Sequence, residues 1–204
     1  MGLWTDRLLP RLVDRALATP EVDARRARTL IGAHGRVLEI GFGSGLNLRH
    51  YPPEVEQVLA VEPSDVAWRL AGPRMAPGTP PVQRVGLDGS RLPVADGTVD
   101  GVVSTFTLCT IPDVATALTE VRRVLRPGGR LHFLEHGRAP EEPVRRWQRR
   151  LQPLQSRVVG GCRLDRPIDA LVAAAGLEIV ELTTGYGDGP KPFSYLYRGR
   201  AAAA

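Results

Sequence analysis

The sequence predicts a single α/β domain built on a mostly parallel sheet with helices on both faces. Three observations lead there. Short apolar runs of strand length alternate with stretches of helical periodicity along the chain, the pattern of successive βαβ units. One such run, Arg36–Ile40, ends in a glycine cluster at Gly41, Gly43 and Gly45, the kind of turn that opens nucleotide-binding α/β folds. The chain has 204 residues, 43% of them hydrophobic, enough for one core that buries ~70% of the unfolded surface.

The elements follow in order. Leu8, Leu9, Leu12, Val13 and Leu17 form a helical stripe, and a second helix is expected from Glu21 to about Ala33. Residues 1–34 thus read as a helical cap and residues 35–204 as the domain proper. Strands are expected at Arg36–Ile40, Gln57–Val61, Pro81–Val85, Val99–Ser104 and Arg130–Glu135. Between them lie helical stretches near Leu46–His50, Asp65–Met75 and Val114–Leu125, the last started by Pro112-Asp113 and stopped by Pro127-Gly128-Gly129. Two further strands, Leu177–Leu182 and Phe193–Tyr197, are too closely joined for a parallel crossover and are expected to be antiparallel. Ala201–Ala204 reads as a frayed tail or scar.

Composition removes several function classes. Two cysteines, Cys109 and Cys162, lie far apart with no C-x-x-C, which argues against a disulfide framework or a zinc site and suits a reducing cytosol. No apolar run approaches the ~18 residues that span a bilayer. Met1–Asp6 lacks a signal-peptide core, and Asp6 stands where myristoylation needs Ser or Thr. The expectation is a soluble cytoplasmic protein. Its net charge of +5 comes almost wholly from arginine, since Lys191 is the sole lysine; a GC-rich genome accounts for that bias as readily as an anionic partner does.

The chemistry concentrates at strand ends. Three glycines between strand and helix let a ligand approach the backbone, but the spacing is not G-x-G-x-x-G, because Leu46 stands where a dinucleotide fingerprint has its third glycine. Glu39, two residues before Gly41, would oppose a pyrophosphate and suits a cationic ligand. Glu62 ends the second strand, where a carboxylate can accept from a ribose diol. Asp88 follows the third strand, placed for an adenine amino group with the Gly89 N–H beside it. Each feature alone is ordinary; together they read as a site for an adenosine joined to an amino acid.

These stretches resemble the class I S-adenosylmethionine-dependent methyltransferases. The match runs through Val37–Gly45, Val61-Glu62-Pro63, Asp88–Val94, Asp96–Ser104 and Val121–Gly129. The resemblance implies a Rossmann-like seven-stranded sheet, ordered 3-2-1-4-5-7-6 with strand seven antiparallel, and S-adenosylmethionine as methyl donor with S-adenosylhomocysteine as product. It places Glu39, Gly41, Gly43 and Gly45 around the methionine part, Glu62 and Pro63 at the ribose, and Asp88 and Gly89 at the adenine. Ser104 and Thr105 would lie beside the sulfonium.

Within that family the chain is similar to the alkyl-thiol methyltransferases through Leu108-Cys109, Phe133-Leu134-Glu135-His136 and Gly161–Arg166. Mammalian members of that subset carry an N-terminal membrane anchor; none is expected here. The resemblance implies a thiol acceptor, with an amine, hydroxyl or lipid headgroup as the alternatives. His136 is the candidate catalytic base, because an ordinary imidazole suits proton removal near neutrality; the plainer alternative is a hydrogen bond across the strand end. Trp4, Tyr51, Cys109, Trp147, Cys162 and Tyr186 are candidate acceptor contacts, although either cysteine also fits as a small buried hydrophobe. Asp165 reads as the N-cap of the next helix.

Two arginine clusters remain, Arg25-Arg26-x-Arg28 and Arg145–Arg150. In the second, Val144, Trp147, Leu151, Leu154 and Val158 make a stripe expected to pack over the acceptor pocket, with Pro153 kinking or ending the helix. Weak contact with a membrane surface comes next. Nucleic acid is not expected, for want of a recognition motif. A nicotinamide-dependent oxidoreductase and a non-catalytic cofactor-binding protein are the competing functions.

Overall fold

Consecutive burial, rather than alternation, marks strands covered on both faces. Gly35–Ile40 (β1), Val55–Val61 (β2) and Val99–Thr105 (β4) are each buried over their last four residues or more. They form the centre of a seven-stranded sheet, here in a computed structural model that describes residues 4–203. Expectations that rest on Met1–Leu3 and Ala204 lie outside the described residues. Val82–Gly86 (β3) and Leu125–His136 (β5) extend the parallel array. Tyr195–Ala203 (β7) runs antiparallel between β5 and Leu177–Tyr186 (β6). The order β3-β2-β1-β4-β5-β7-β6 is the one expected. Chain direction across the sheet reverses between β1 and β4, the position where open α/β sheets bind ligands at their carboxyl ends.

Alternate residues of β1 feed two cores. Leu38 and Ile40 pack with Val102, Phe133 and Val121 on one face. Val37 packs with Val58, Ala60, Val103 and Leu30 on the other. Glu39 therefore shares the second face. Helix Pro20–Thr29 (α2) covers that face; Thr19 caps it by accepting the Val22 N–H, and Pro20 starts it. Leu9–Ala16 (α1) precedes it, after a wide turn over Trp4–Leu8. The other helices are Asp65–Ala71 (α3), Val114–Val124 (α4), Glu142–Val158 (α5), Ile168–Ala174 (α6) and the short Lys191–Ser194 (α7). Among the described residues, no helix is long and apolar enough to cross a membrane.

Several elements depart from expectation for identifiable reasons. The helix expected over Leu46–His50 is one 3-10 turn, Leu48–His50, because Gly41, Gly43 and Gly45 all take positive φ and the segment turns too tightly to start an α-helix. Pro127–Gly129 does not stop α4. That helix ends at Val124, and the Pro-Gly-Gly bulges inside β5, where Val99 pairs with Leu125 but Gly101 with Arg130. Asp165 caps nothing: α6 starts after Pro167 without a side-chain cap, and Asp165 lies 3.7 Å from Arg163.

α5 runs through Pro153, so the expected break does not occur. Its stripe is split: Trp147 is 53% exposed, and Leu154 and Val158 are exposed with it, while Val144 packs against the core and Leu151 is partly buried. The buried residue is Gln148, whose amide accepts the Ala139 N–H and donates to the Gly137 carbonyl. The last strand starts after α7 and continues through Ala201–Ala203, so this segment is no frayed tail. Ala201 is fully buried opposite Leu131 and Ile179. Gly199 has no room for a side chain, since a Cβ there would stand 2.5 Å from the Phe133 ring.

Ala201→Asp should lower unfolding free energy by about 3 kcal/mol or more, the cost of an unpaired buried charge. Ala202→Asp, at a partly exposed site, should cost clearly less. Urea unfolding of both variants checks the pair; equal losses would contradict the central placement of this strand.

Candidate active site

The carboxyl ends of β1, β2, β3 and β4 open into a cavity of about 720 Å³, within the ~300–1,000 Å³ usual for small-molecule sites. Gly41, with φ of +70°, turns so tightly over the loop after β4 that a Cβ would stand 2.0 Å from Thr107 Oγ1. Glu62 fastens the turn: one carboxylate oxygen accepts the Gly43 N–H at 2.7 Å and the other the Ser64 N–H at 2.6 Å. Burial pushes its pKa up, against the pull of those two N–H groups and Arg84. Asp88 accepts the Ser90 N–H and hydroxyl, which hold its carboxyl below the usual range. Gly41, Gly43, Glu62, Pro63, Asp88, Gly89 and Thr105 all line the cavity, as the sequence leads one to expect.

Three expected cofactor contacts lie elsewhere. A Cβ on Gly45 would face Leu48 and Ala71, so this glycine serves packing of the turn. Ser104 points to the opposite face of the sheet from Thr105, and its hydroxyl donates to Glu135 at 2.7 Å. Glu39 is buried behind the cavity wall. Tyr51 Oη donates to one of its oxygens at 2.7 Å and Asn47 Nδ2 to the other at 2.8 Å. Burial raises the Glu39 pKa to about 7, opposed by those donors and by Arg26.

The group that does face the cavity is Arg26. Its Nη1 donates to Asn47 Oδ1 at 2.9 Å and to Thr105 Oγ1 at 2.7 Å, while its buried Nε has no partner. Burial lowers its pKa to about 10, so it stays charged at neutral pH. A guanidinium at the cavity wall suits the carboxylate of an amino acid. The charge expected at this wall is therefore inverted, cation in front and carboxylate behind. Arg26 sits four residues after Val22 and four before Leu30, on the buried stripe of α2; that spacing was the available signal within an otherwise solvated arginine run.

The far end of the cavity is built from different chemistry. Phe106 is the one non-glycine residue with positive φ (56°) among those described, and its N–H donates to the Leu134 carbonyl at 2.7 Å. This strained turn places the ring 4.8 Å from His136, centroid to centroid, and under the Arg26 guanidinium. Cys162 Sγ lies 3.7 Å from Cys109 Sγ and 3.8 Å from His136 Nδ1. The Cys162 contact, then burial and the nearby Glu135, push the Cys109 thiol up, and the Cys109 and His136 contacts pull Cys162 down. Leu9, Val13 and Leu17 of α1, with Val159 and Gly160 after α5, wall this end.

The aromatic expectations fail here. Trp4 is 40% exposed and donates from Nε1 to the Val158 carbonyl, outside the cavity. Tyr51 is buried on Glu39. Trp147 faces solvent, and Tyr186 donates to Glu141 away from the cavity.

Arg26→Met should weaken binding of S-adenosylhomocysteine about tenfold or more, the loss of one charge-assisted contact. Glu62→Ala should weaken it at least as much, because Gly43 and Ser64 lose their acceptor along with the ligand. Calorimetry reads both, and an unchanged dissociation constant for either would remove that residue from the cofactor site.

The geometry agrees with what known proteins show. A family profile described as a methyltransferase domain matches residues 38–133. The chain is 33% identical over 164 residues to thiol S-methyltransferase TMT1B of Rattus norvegicus, covering 78% of this chain and 65% of that protein. It is 35% identical over 134 residues to TMT1A of Homo sapiens, covering 64% and 54%. It thus spans less than two thirds of these relatives' length. It is 30% identical over 166 residues to a phosphatidylethanolamine N-methyltransferase of Cereibacter sphaeroides, covering 80% of each. A SAM-dependent methyltransferase from Aquifex aeolicus shares the fold, with a TM-score of 0.65 at 15% identity over 96% of this chain and 98% of that one. So does the [4+2]-cyclase SpnF, with 0.65 at 19% over 95% and 80%. The chain belongs to the class I S-adenosylmethionine-dependent methyltransferases, and the thiol S-methyltransferases are among its relatives.

Proposed function

We propose that this protein transfers the methyl group of S-adenosylmethionine to the sulfur of a small thiol. The observation that carries this reading is the Cys109, His136 and Cys162 cluster, which lines the same cavity as the glycine turn, Glu62 and Asp88. The residues on the adenosine side (Glu62, Asp88, Gly89) and at the amino-acid side (Arg26) support a cofactor whose sulfonium reaches toward Thr105 and Phe106. Methyl transfer is then an in-line displacement. The acceptor's sulfur lone pair forms the new C–S bond as the sulfonium–methyl bond breaks. Alignment and exclusion of water supply the acceleration, and the apolar walls from α1 and the loop after α5 serve both. We assign His136, held between Phe106 and Cys162, the contact with the acceptor sulfur. Two free thiols in such proximity support a reducing, cytoplasmic setting.

A second reading, N-methylation of a phospholipid amine, is favoured by one observation. Leu8 and Leu12 of the N-terminal helix and Leu154 and Val158 of α5 are exposed apolar residues, and the Trp4–Val158 contact joins the two segments beside the cavity. A lipid-bound headgroup would approach from such a surface.

A panel of alkyl thiols, amines, phenols and phosphatidylethanolamine vesicles, read by S-adenosylhomocysteine release, decides between them. Thiols should turn over at least about tenfold faster than any other class. Methylation of phosphatidylethanolamine alone would establish the second reading, and no turnover anywhere would leave a cofactor-binding protein. His136→Ala should lower kcat on thiols about tenfold or more while S-adenosylhomocysteine affinity stays within about twofold; unchanged turnover would remove the assignment.

A further inference from the structure

We propose that Cys109, His136 and Cys162 form a three-ligand site for a thiophilic divalent cation, zinc by its chemistry, with the fourth position open to the cavity. This rests on the thiol reading above and adds to it: the fourth ligand is the acceptor's own sulfur.

The distances are the first argument. A tetrahedral zinc with Zn–S bonds of about 2.3 Å and a Zn–N bond of about 2.0 Å separates sulfur from sulfur by about 3.8 Å and sulfur from nitrogen by about 3.5 Å. The structure has Cys109 Sγ and Cys162 Sγ at 3.7 Å, and Cys162 Sγ and His136 Nδ1 at 3.8 Å. All three ligand atoms lie within 4.8 Å of one another. The cluster needs only small movements to close on a metal.

The second argument is how the ligands are held. They come from three segments, the loop after β4, the end of β5 and the turn after α5, so the fold assembles the set. The Cys109 N–H donates to Glu135 Oε2 at 3.0 Å. Glu135 is fully buried and is bonded also to the Ser104 hydroxyl and the Thr107 N–H. This carboxyl group fixes the backbone of a ligand residue from behind. It offsets the Arg166 guanidinium, which donates to the Leu108 and Ile111 carbonyls nearby. The His136 ring is fixed against Phe106.

The third argument is access. All three residues line the cavity that holds the cofactor residues, and three protein ligands with one open position is the arrangement of catalytic rather than structural zinc. Thiolates and imidazole favour zinc over magnesium or calcium. The chemistry balances simply. The acceptor R–S–H binds the metal through sulfur and gives its proton to water, since a coordinated thiol is deprotonated. Its lone pair forms the bond to the methyl carbon as the sulfonium–methyl pair returns to the cofactor sulfur. S-adenosylhomocysteine and R–S–CH3 result, and the neutral thioether is a weaker ligand that leaves. His136 then acts as a ligand, not as a base.

The test uses the whole chain. Metal analysis of the purified protein should find about one zinc per chain. After chelation, added cobalt should give the visible d–d bands of a tetrahedral site and a thiolate charge-transfer band, saturating at one equivalent. Cys162→Ser should lose the charge-transfer intensity in part and His136→Ala should weaken cobalt binding at least about tenfold. Should either variant fail to fold, the chelated wild type carries the test: thiol turnover should fall about tenfold or more and return with zinc. No zinc together with no thiolate–cobalt band would overturn the metal site, as would a chelated enzyme that methylates thiols at the full rate; both leave thiol methylation standing. A protein that binds cobalt as described but methylates no thiol keeps the three-ligand site and overturns the acceptor role along with the function proposed above.

Discussion

The buried pair of Arg26 and Glu39 is the constraint on which the site depends. Two charges are taken out of water under the switch point of the sheet, at a desolvation cost of several kcal/mol each. The surroundings offset that cost with aimed donors and acceptors: Tyr51 and Asn47 on the carboxylate, Asn47 and Thr105 on the guanidinium. Asn47 touches both charges, so the residue that replaces an expected helix after the glycine turn is also the bridge of the network. Through these bonds α2, β1, β4 and the glycine turn are fixed to one another. Arg26 is the member of this rigid network that also lines the cavity.

What the sequence made legible follows the range of the interactions. Glu62, Gly41 and Gly43 sit at strand ends, and their place at the cavity can be anticipated from local patterns. For Arg26 the local spacing signals only that it is buried; its partner Thr105 is 79 positions along the chain. The same holds for the thiols, 53 positions apart: spacing rules for metal ligands look for short repeats, and here the sheet order does the bringing together. α5 misled for a different reason. Its apolar stripe is real, but only Val144 reaches the core, and beside it Gln148 satisfies the backbone of Gly137 and Ala139 on the inward face. The seven-stranded order was legible through resemblance, while the extent of its last strand was hidden by a run of alanines without strand propensity.

Phe106 joins the two halves of the cavity. It alone among the described non-glycine residues holds positive φ, a conformation that costs on the order of 1 kcal/mol or more. The strain is sustained because the Leu134 carbonyl takes its N–H and the ring lies between Arg26 and His136. A single turn thus couples the residue suited to the cofactor's carboxylate to the residue assigned to the acceptor.

The position of β7 has a consequence for how the chain reaches this state. β5 and β6 never pair with each other; β7 lies between them and bonds to both. The parallel half of the sheet can assemble while translation continues, but the edge of β5 stays open until residues 195–203 have emerged. At ~5–20 residues per second, the half-built sheet spends seconds with an unpaired strand edge exposed, the surface most prone to join a second chain. His136 and Glu135 stand on that edge strand, opposite Leu196 and Tyr197. The β5 end of the cavity, with Glu135 and His136, is therefore held in place only once β7 has paired with it.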